Sequence, residues 1–167
     1  MPEPITGRVW VFGDHVDTDV MYPAKHFHLA PEQAVQYLFD GVRPGWAAGV
    51  TPGDLVVGGT NFGVGSARPV GSLLRIAGIR AVLAESMSSL FQRNCINAGV
   101  FAVAVPGITA LGVEGDVFAL DPGAGIVSNG GRTLTFAPLP EFVADIVAAG
   151  GILEQLRRDG FLDPAPG

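Results

Sequence analysis

Three short, almost uninterrupted apolar runs constrain what this 167-residue chain can fold into: residues 55–59, 79–84 and 100–105. Apolar runs without polar alternation are the pattern of strands buried on both faces, as in a parallel sheet. Two segments of helical spacing separate them. Residues 70–77 place Leu73, Leu74 and Ala77 on one side, and Gly78 stops them. Ser86 reads as the N-cap of a helix through Asn97, with Leu90, Phe91, Cys95 and Ile96 on its apolar side and Gly99 closing it. Strand, helix, strand, helix, strand predicts an α/β fold with a parallel βαβαβ core, over about residues 53–106, and right-handed crossovers.

The flanks read differently. Residues 6–13 carry Val9, Trp10, Val11 and Phe12, all strand formers. The acidic and hydroxyl residues after them, Asp14, Asp17, Thr18 and Asp19, can bond to their own backbone, either as a structured turn or as a substrate-facing loop that continues to Leu29. Residues 31–39 read as a short helix with Pro31 in its first turn. Residues 107–137 form a small antiparallel β unit, with a hairpin signal at Asn129-Gly130. An amphipathic helix follows over about 140–159, kinked or split at Gly150-Gly151. The expectation is one domain over 1–167.

Composition narrows the function classes. At 48% hydrophobic and 16% charged, the chain is not of a disordered type. No apolar run reaches the roughly 18 residues of a membrane span. Met1-Pro2-Glu3-Pro4 has neither the basic start nor the apolar core of a signal peptide, so a cytoplasmic location is expected, with no membrane partner. A net charge of −6 argues against nucleic acid as a partner. The single cysteine, Cys95, rules out an internal disulfide or a multi-cysteine iron–sulfur site within this chain. His26 and His28 lack a third ligand nearby, so no metal is expected here.

The chemistry-bearing stretch joins the first apolar run to the first helix: Asn61-Phe62-Gly63-Val64-Gly65-Ser66-Ala67-Arg68-Pro69. Its glycines permit a sharp turn and close approach. Pro69 suits the first helical turn. A helix start with a nearby hydroxyl and arginine is an anion site. Three other readings compete. A dinucleotide fingerprint has Arg68 where its third glycine belongs, though Glu85 could serve as the ribose acid. A hydrolase elbow fails because Gly65 directly precedes Ser66 and every histidine lies in the first 28 residues. Ser66 could also simply cap the helix.

Taken together, Gly7 to Asp14, Asp17-Thr18-Asp19, Asn61 to Ser66, Ala84-Glu85-Ser86, Phe91 to Gly99 and Gly150 to Glu154 resemble the small subunits of isopropylmalate isomerase and the related homoaconitases. These are equivalent to the swivelling domain of aconitase, and the resemblance covers nearly the whole chain. It implies a swivelling β/β/α domain and a hydro-lyase chemistry shared between two chains. A large subunit would carry a [4Fe–4S] cluster acting as Lewis acid on the substrate hydroxyl and a carboxylate. This chain would supply Ser66 as the base that removes the carbon-bound proton, its alkoxide stabilised by backbone N–H groups, the helix start and Arg68. Arg68 would bind a substrate carboxylate, and Asp17, Thr18, Lys25, Gly65 and Ala67 would line the substrate site.

The chain departs from the family pattern within the loop. Where the family reads Gly-Ser-Ser-Arg-Glu, this sequence reads Gly65-Ser66-Ala67-Arg68-Pro69, losing a hydroxyl and a carboxylate. In the specificity loop, after Pro23-Ala24-Lys25, His28 stands at the position that discriminates between an isopropyl group and an extra carboxylate. The expected function is isomerisation of a substituted, isopropylmalate-like malate by dehydration and rehydration. The alternatives are a paralogue for another malate-type diacid such as homoaconitate or dimethylmalate, and a non-catalytic binding module of the same fold.

Overall fold

A computed structural model describes residues 3–65 and 68–166. Its strands are β1 (Ile5–Val11), β2 (Leu55–Gly58), β3 (Ala81–Ala84), β4 (Phe101–Ala104), β5 (Val117–Asp121), β6 (Ile126–Asn129) and β7 (Arg132–Thr135). They form one mixed sheet in the order β4-β3-β2-β1-β5-β6-β7. β1 to β4 are mutually parallel, and β5 to β7 are antiparallel to their neighbours. The parallel core therefore begins at β1 rather than near residue 53. The first half of β1, Ile5 to Arg8, pairs with β5, and the second half, Val9 to Val11, pairs with β2.

Alternation along the strands fills two cores. Val56, Val82, Ala84 and Ala102 face a cluster that takes in Leu73, Leu74, Phe91 and Cys95 from α3 (Val70–Ala77) and α4 (Ser89–Asn97). Leu55, Val57, Leu83, Phe101 and Val103 face a second cluster with Phe118, Leu120, Val127 and Phe136 from the antiparallel half. The runs lack polar alternation because both faces are covered.

Three local expectations need correction. The short helix after Pro31 is only α2 (Pro31–Ala34), continued by a 3-10 turn, Val35–Tyr37. Phe39 then takes a left-handed conformation, φ 62°, stacks on Phe12 at 4.1 Å and donates its N–H to the Met21 carbonyl at 2.6 Å. Tertiary packing overrides helix spacing there. The N-cap of α4 is Ser88, whose Oγ accepts the Phe91 N–H, not Ser86. Pro69 is the N-cap residue of α3, one position outside the helix. The C-terminal segment is two helices, α5 (Glu141–Ala149) and α6 (Ile152–Arg158), with Gly150 and Gly151 at φ 94° and 124° between them. No helix among the described residues is long and apolar enough to cross a membrane.

Asp54, just before β2, is a buried carboxylate with a structural task. Its Oδ2 accepts the Thr51 N–H at 2.8 Å, the Trp10 indole N–H at 2.8 Å and an Arg8 N–H at 3.0 Å. Burial alone would raise its pKa, but these three donors hold it below the ordinary carboxylate value. Because the folded-state pKa is depressed, the stabilisation is present above the unfolded pKa, about 4, and is lost as pH falls through the folded value. Asp54→Ala should cost about 2–4 kcal/mol at neutral pH, read as a lower urea midpoint. The gap between the variant and the parent should close as the pH falls below about 4.

Candidate active site

Loops after β1, β2 and β3 leave the carboxyl edge of the parallel strands, the edge where open α/β sheets bind ligands. The first two loops are joined through their backbones. Gly59 N–H donates to the Gly13 carbonyl (3.1 Å), His15 N–H to Thr60 (2.7 Å), Gly63 N–H to Val16 (2.8 Å) and Thr18 N–H to Val64 (3.0 Å). Asp14 Oδ1 adds a bond from the Thr60 N–H at 2.8 Å. On the other side, Phe62 exchanges backbone hydrogen bonds with Ser86 and Ser88 (3.0 and 3.1 Å), and Ser86 Oγ accepts the Asn61 N–H at 2.8 Å. Ser86 is therefore a tie for the glycine loop. Phe62 itself is fully buried, edge-on to Phe91 at 5.7 Å.

The glycines in this loop have separate reasons. Gly63 has φ 77°, and a Cβ on it would lie inside the Phe91 side chain. Gly65 has φ 122°, and its Cβ would sit 3.0 Å from Thr18 Oγ1. His15 and Asn61, both at φ 56°, face each other with Nδ1 and Nδ2 3.2 Å apart. Left-handed conformations at non-glycine residues cluster where a loop is tightly determined. His15 also corrects an inference from sequence distance, since the fold brings this early histidine against the glycine loop.

Ser66 and Ala67 lie outside the described residues. Arg68, just beyond them, is 14% exposed at its side chain. Its Nη2 is 2.6 Å from Asp19 Oδ1, its Nη1 donates to the Tyr22 carbonyl at 2.8 Å, and Phe27 covers the guanidinium at 4.8 Å. Its Nε is buried with no hydrogen-bond partner among the described residues.

The fold brings Asp17, Thr18, Gly65 and Arg68 together. Asp17 caps α1 (Thr18–Met21) by accepting the Val20 N–H at 3.0 Å. Thr18 is buried against Gly65. Lys25 points elsewhere: it is 70% exposed, with Nζ 3.7 Å from Asp40. His28 is exposed, while His26 is the structural histidine, stacked on Tyr37 at 4.0 Å with Nε2 3.2 Å from Asp40. Sequence reasoning passed over Asp19, Tyr22 and Phe27 as the surroundings of Arg68. The one available signal was Asp19 in the Asp17-Thr18-Asp19 run.

The dinucleotide reading loses its ribose acid. Glu85 accepts N–H bonds from Gly107 (2.6 Å) and Thr109 (2.9 Å) and the Thr109 hydroxyl (2.6 Å). Burial would raise its pKa, but these donors hold it low. Cys95 is fully buried between sheet and helices, and burial pushes its thiol well above the ordinary range. Such a side chain does not fit as a ligand to an iron–sulfur cluster, which takes thiolates. Among the described residues there is no group of three or more His, Cys, Asp or Glu placed to hold a metal ion.

Residues 50–107 match the aconitase C-terminal domain family. The isopropylmalate/citramalate isomerase small subunit of Methanocaldococcus jannaschii is 41% identical over 160 residues, covering 92% of this chain and 94% of its own. The 3-isopropylmalate dehydratase small subunit of Nautilia profundicola is 37% identical over 153 residues, covering 89% and 92%. The crystal structure of 3-isopropylmalate dehydratase from M. jannaschii superposes with a TM-score of 0.85 over 94% of this chain and 95% of its own, at 28% identity.

Gly63→Ala combines a left-handed backbone with overlap onto Phe91 near that residue's own Cβ. It should lose about 2–5 kcal/mol of stability, seen as a lower thermal midpoint. Gly65→Ala shares the positive-φ strain but would only crowd the Thr18 hydroxyl at 3.0 Å instead of overlapping a ring, and should lose less.

Proposed function

This chain belongs to the family of 3-isopropylmalate dehydratase small subunits, and on that premise we propose that it works as the small subunit of a two-chain hydro-lyase. The reaction is isomerisation of an isopropylmalate-like diacid by dehydration and rehydration. The observation that carries this reading is the backbone ladder between the 13–18 and 59–64 segments. It delivers the glycine loop, and Arg68 beyond it, to the carboxyl edge of the parallel strands.

Each residue then has a task. Ser66 takes the proton from carbon. Arg68 binds a substrate carboxylate. The first-turn N–H groups of α3 have no partner within the helix and favour negative charge at its start. Asp17 and Thr18 hold the facing loop in register with Gly65. The [4Fe–4S] cluster belongs to the large subunit, because the one cysteine here does not fit it. Both chains act in the cytoplasm.

A second reading, another malate-type diacid, is favoured by the local chemistry. Ala67 and Pro69 remove a hydroxyl and a carboxylate from the loop, and the exposed His28 stands at the discriminating position. The relative from M. jannaschii, named for both isopropylmalate and citramalate, fits a site tolerant of the substituent.

Ser66→Ala in the reconstituted two-chain enzyme should lower turnover of 3-isopropylmalate by about 10²- to 10⁴-fold while the chains still associate. Unchanged turnover removes Ser66 from the chemistry. A parent enzyme inactive on 3-isopropylmalate but active on citramalate decides for the second reading, and inactivity on every malate-type diacid decides for a non-catalytic module.

A further inference from the structure

The surroundings of Arg68 resolve into one strong contact and one empty one. A guanidinium meets a carboxylate best through two parallel N–H···O bonds, and Nε with Nη2 forms one such fork. Asp19 Oδ1 occupies only the Nη2 side, at 2.6 Å. The adjacent Nε is buried with no partner among the described residues. A carboxylate is in place, but it uses half of the available fork.

The two members of this pair are held very differently. Arg68 is fixed by the Tyr22 carbonyl on Nη1 and by the Phe27 ring over its face. The Tyr22–Phe27 segment is itself tied down: Tyr22 Oη donates to the His26 carbonyl at 2.7 Å, and the His26 ring is stacked on Tyr37. Asp19 is 60% exposed and has no other hydrogen bond or ion pair among the described residues. Its carboxylate can turn into water at little cost, since an exposed partner contributes little to such a pair. Arg68 has no comparable way out, and a nearly covered guanidinium without a counter-charge is costly.

We propose that Asp19 is a positioning residue that holds the place of the substrate carboxylate on Arg68, occupying half of the guanidinium fork in the free chain and yielding it when a diacid binds. This rests on the reading of Arg68 as the carboxylate clamp. A substrate carboxylate exchanges one contact for two, because it also satisfies the Nε that Asp19 leaves empty. Once it is bound, repulsion between the two carboxylates keeps Asp19 turned outward. A carboxylate offers each of Nε and Nη2 its own oxygen, which a spherical anion sharing one acceptor between them does not, so the exchange favours carboxylates.

The test is steady-state kinetics of the reconstituted two-chain enzyme with 3-isopropylmalate. Asp19→Asn removes the competing charge and should lower KM by about two- to fivefold. It should also lower the thermal midpoint of the free chain, which has lost the counter-charge of Arg68. Asp19→Glu keeps the competing carboxylate and should hold KM near the parent value. A purely structural Asp19 predicts an unchanged or raised KM in Asp19→Asn, and either result overturns the proposal. Arg68→Gln separates the two readings. If it leaves KM unchanged, the clamp itself is wrong; if it raises KM at least tenfold while Asp19→Asn fails to lower it, only the placeholder is wrong. A measurement on the parent enzyme needs a variant only for assignment. The Asp19 carboxyl ¹³C resonance, identified by its loss in Asp19→Glu, should move on saturation with 3-isopropylmalate, and a stationary resonance overturns the proposal.

Discussion

Parallel pairing of β1 with β2 does not stop where the strands stop. Four main-chain hydrogen bonds carry it onward, from Gly59 and Gly13 out to Thr18 and Val64. Everything distinctive about the candidate site depends on this extension. Main-chain bonds fix the spacing of two loops independently of most side chains, and they demand that the backbones come close. Glycine at 63, pressed against Phe91, and at 65, against Thr18, is the local requirement that follows. Left-handed His15 and Asn61 show the same pressure at residues that are not glycine.

Charged groups in this small domain divide into two kinds. Asp54, Glu85 and Glu114 have all their bonds within the fold. For Glu114, the bond from Arg43 is foremost in holding its carboxyl low, and the Val11 N–H adds to it. These groups stabilise loops and strand ends. The Arg68–Asp19 pair is different in one respect: its carboxylate is the exposed partner and has no other bond among the described residues, while the covered partner is the cation. An asymmetric pair of this kind can be exchanged, whereas the three-donor shell around Asp54 cannot be opened without leaving buried donors unpaired.

How far these features could be read in the sequence follows from their range. β2, α3, β3 and β4 were legible because each is a local pattern: an apolar run covered on both faces, a 3.6-residue spacing, a glycine stop. The family resemblance covered the same ground and reached the glycine loop as well. Ser86 was misread because three nearby hydroxyls, Ser86, Ser88 and Ser89, compete for one cap. The choice is made by Phe62 and Asn61, which meet this segment only in three dimensions. Phe39 left its helix for a stack on Phe12 that no spacing rule contains. The partners of Arg68 were invisible for the same reason: Tyr22 contributes a carbonyl, which its side chain does not advertise.

The split pairing of β1 bears on how the chain is made. β1 is made before the other six described strands, yet it lies in the middle of the sheet. Its second half can pair once residues 55–57 are available, but its first half must wait for residues 117–120. Between those two points the nascent chain carries a half-paired strand with open hydrogen-bonding groups. Such a strand is a template for mispairing, and long-range closure of this kind is slow. The charged Arg8 stands at the junction of the two halves and is bound to Asp54 just before β2, a contact that does not need β5.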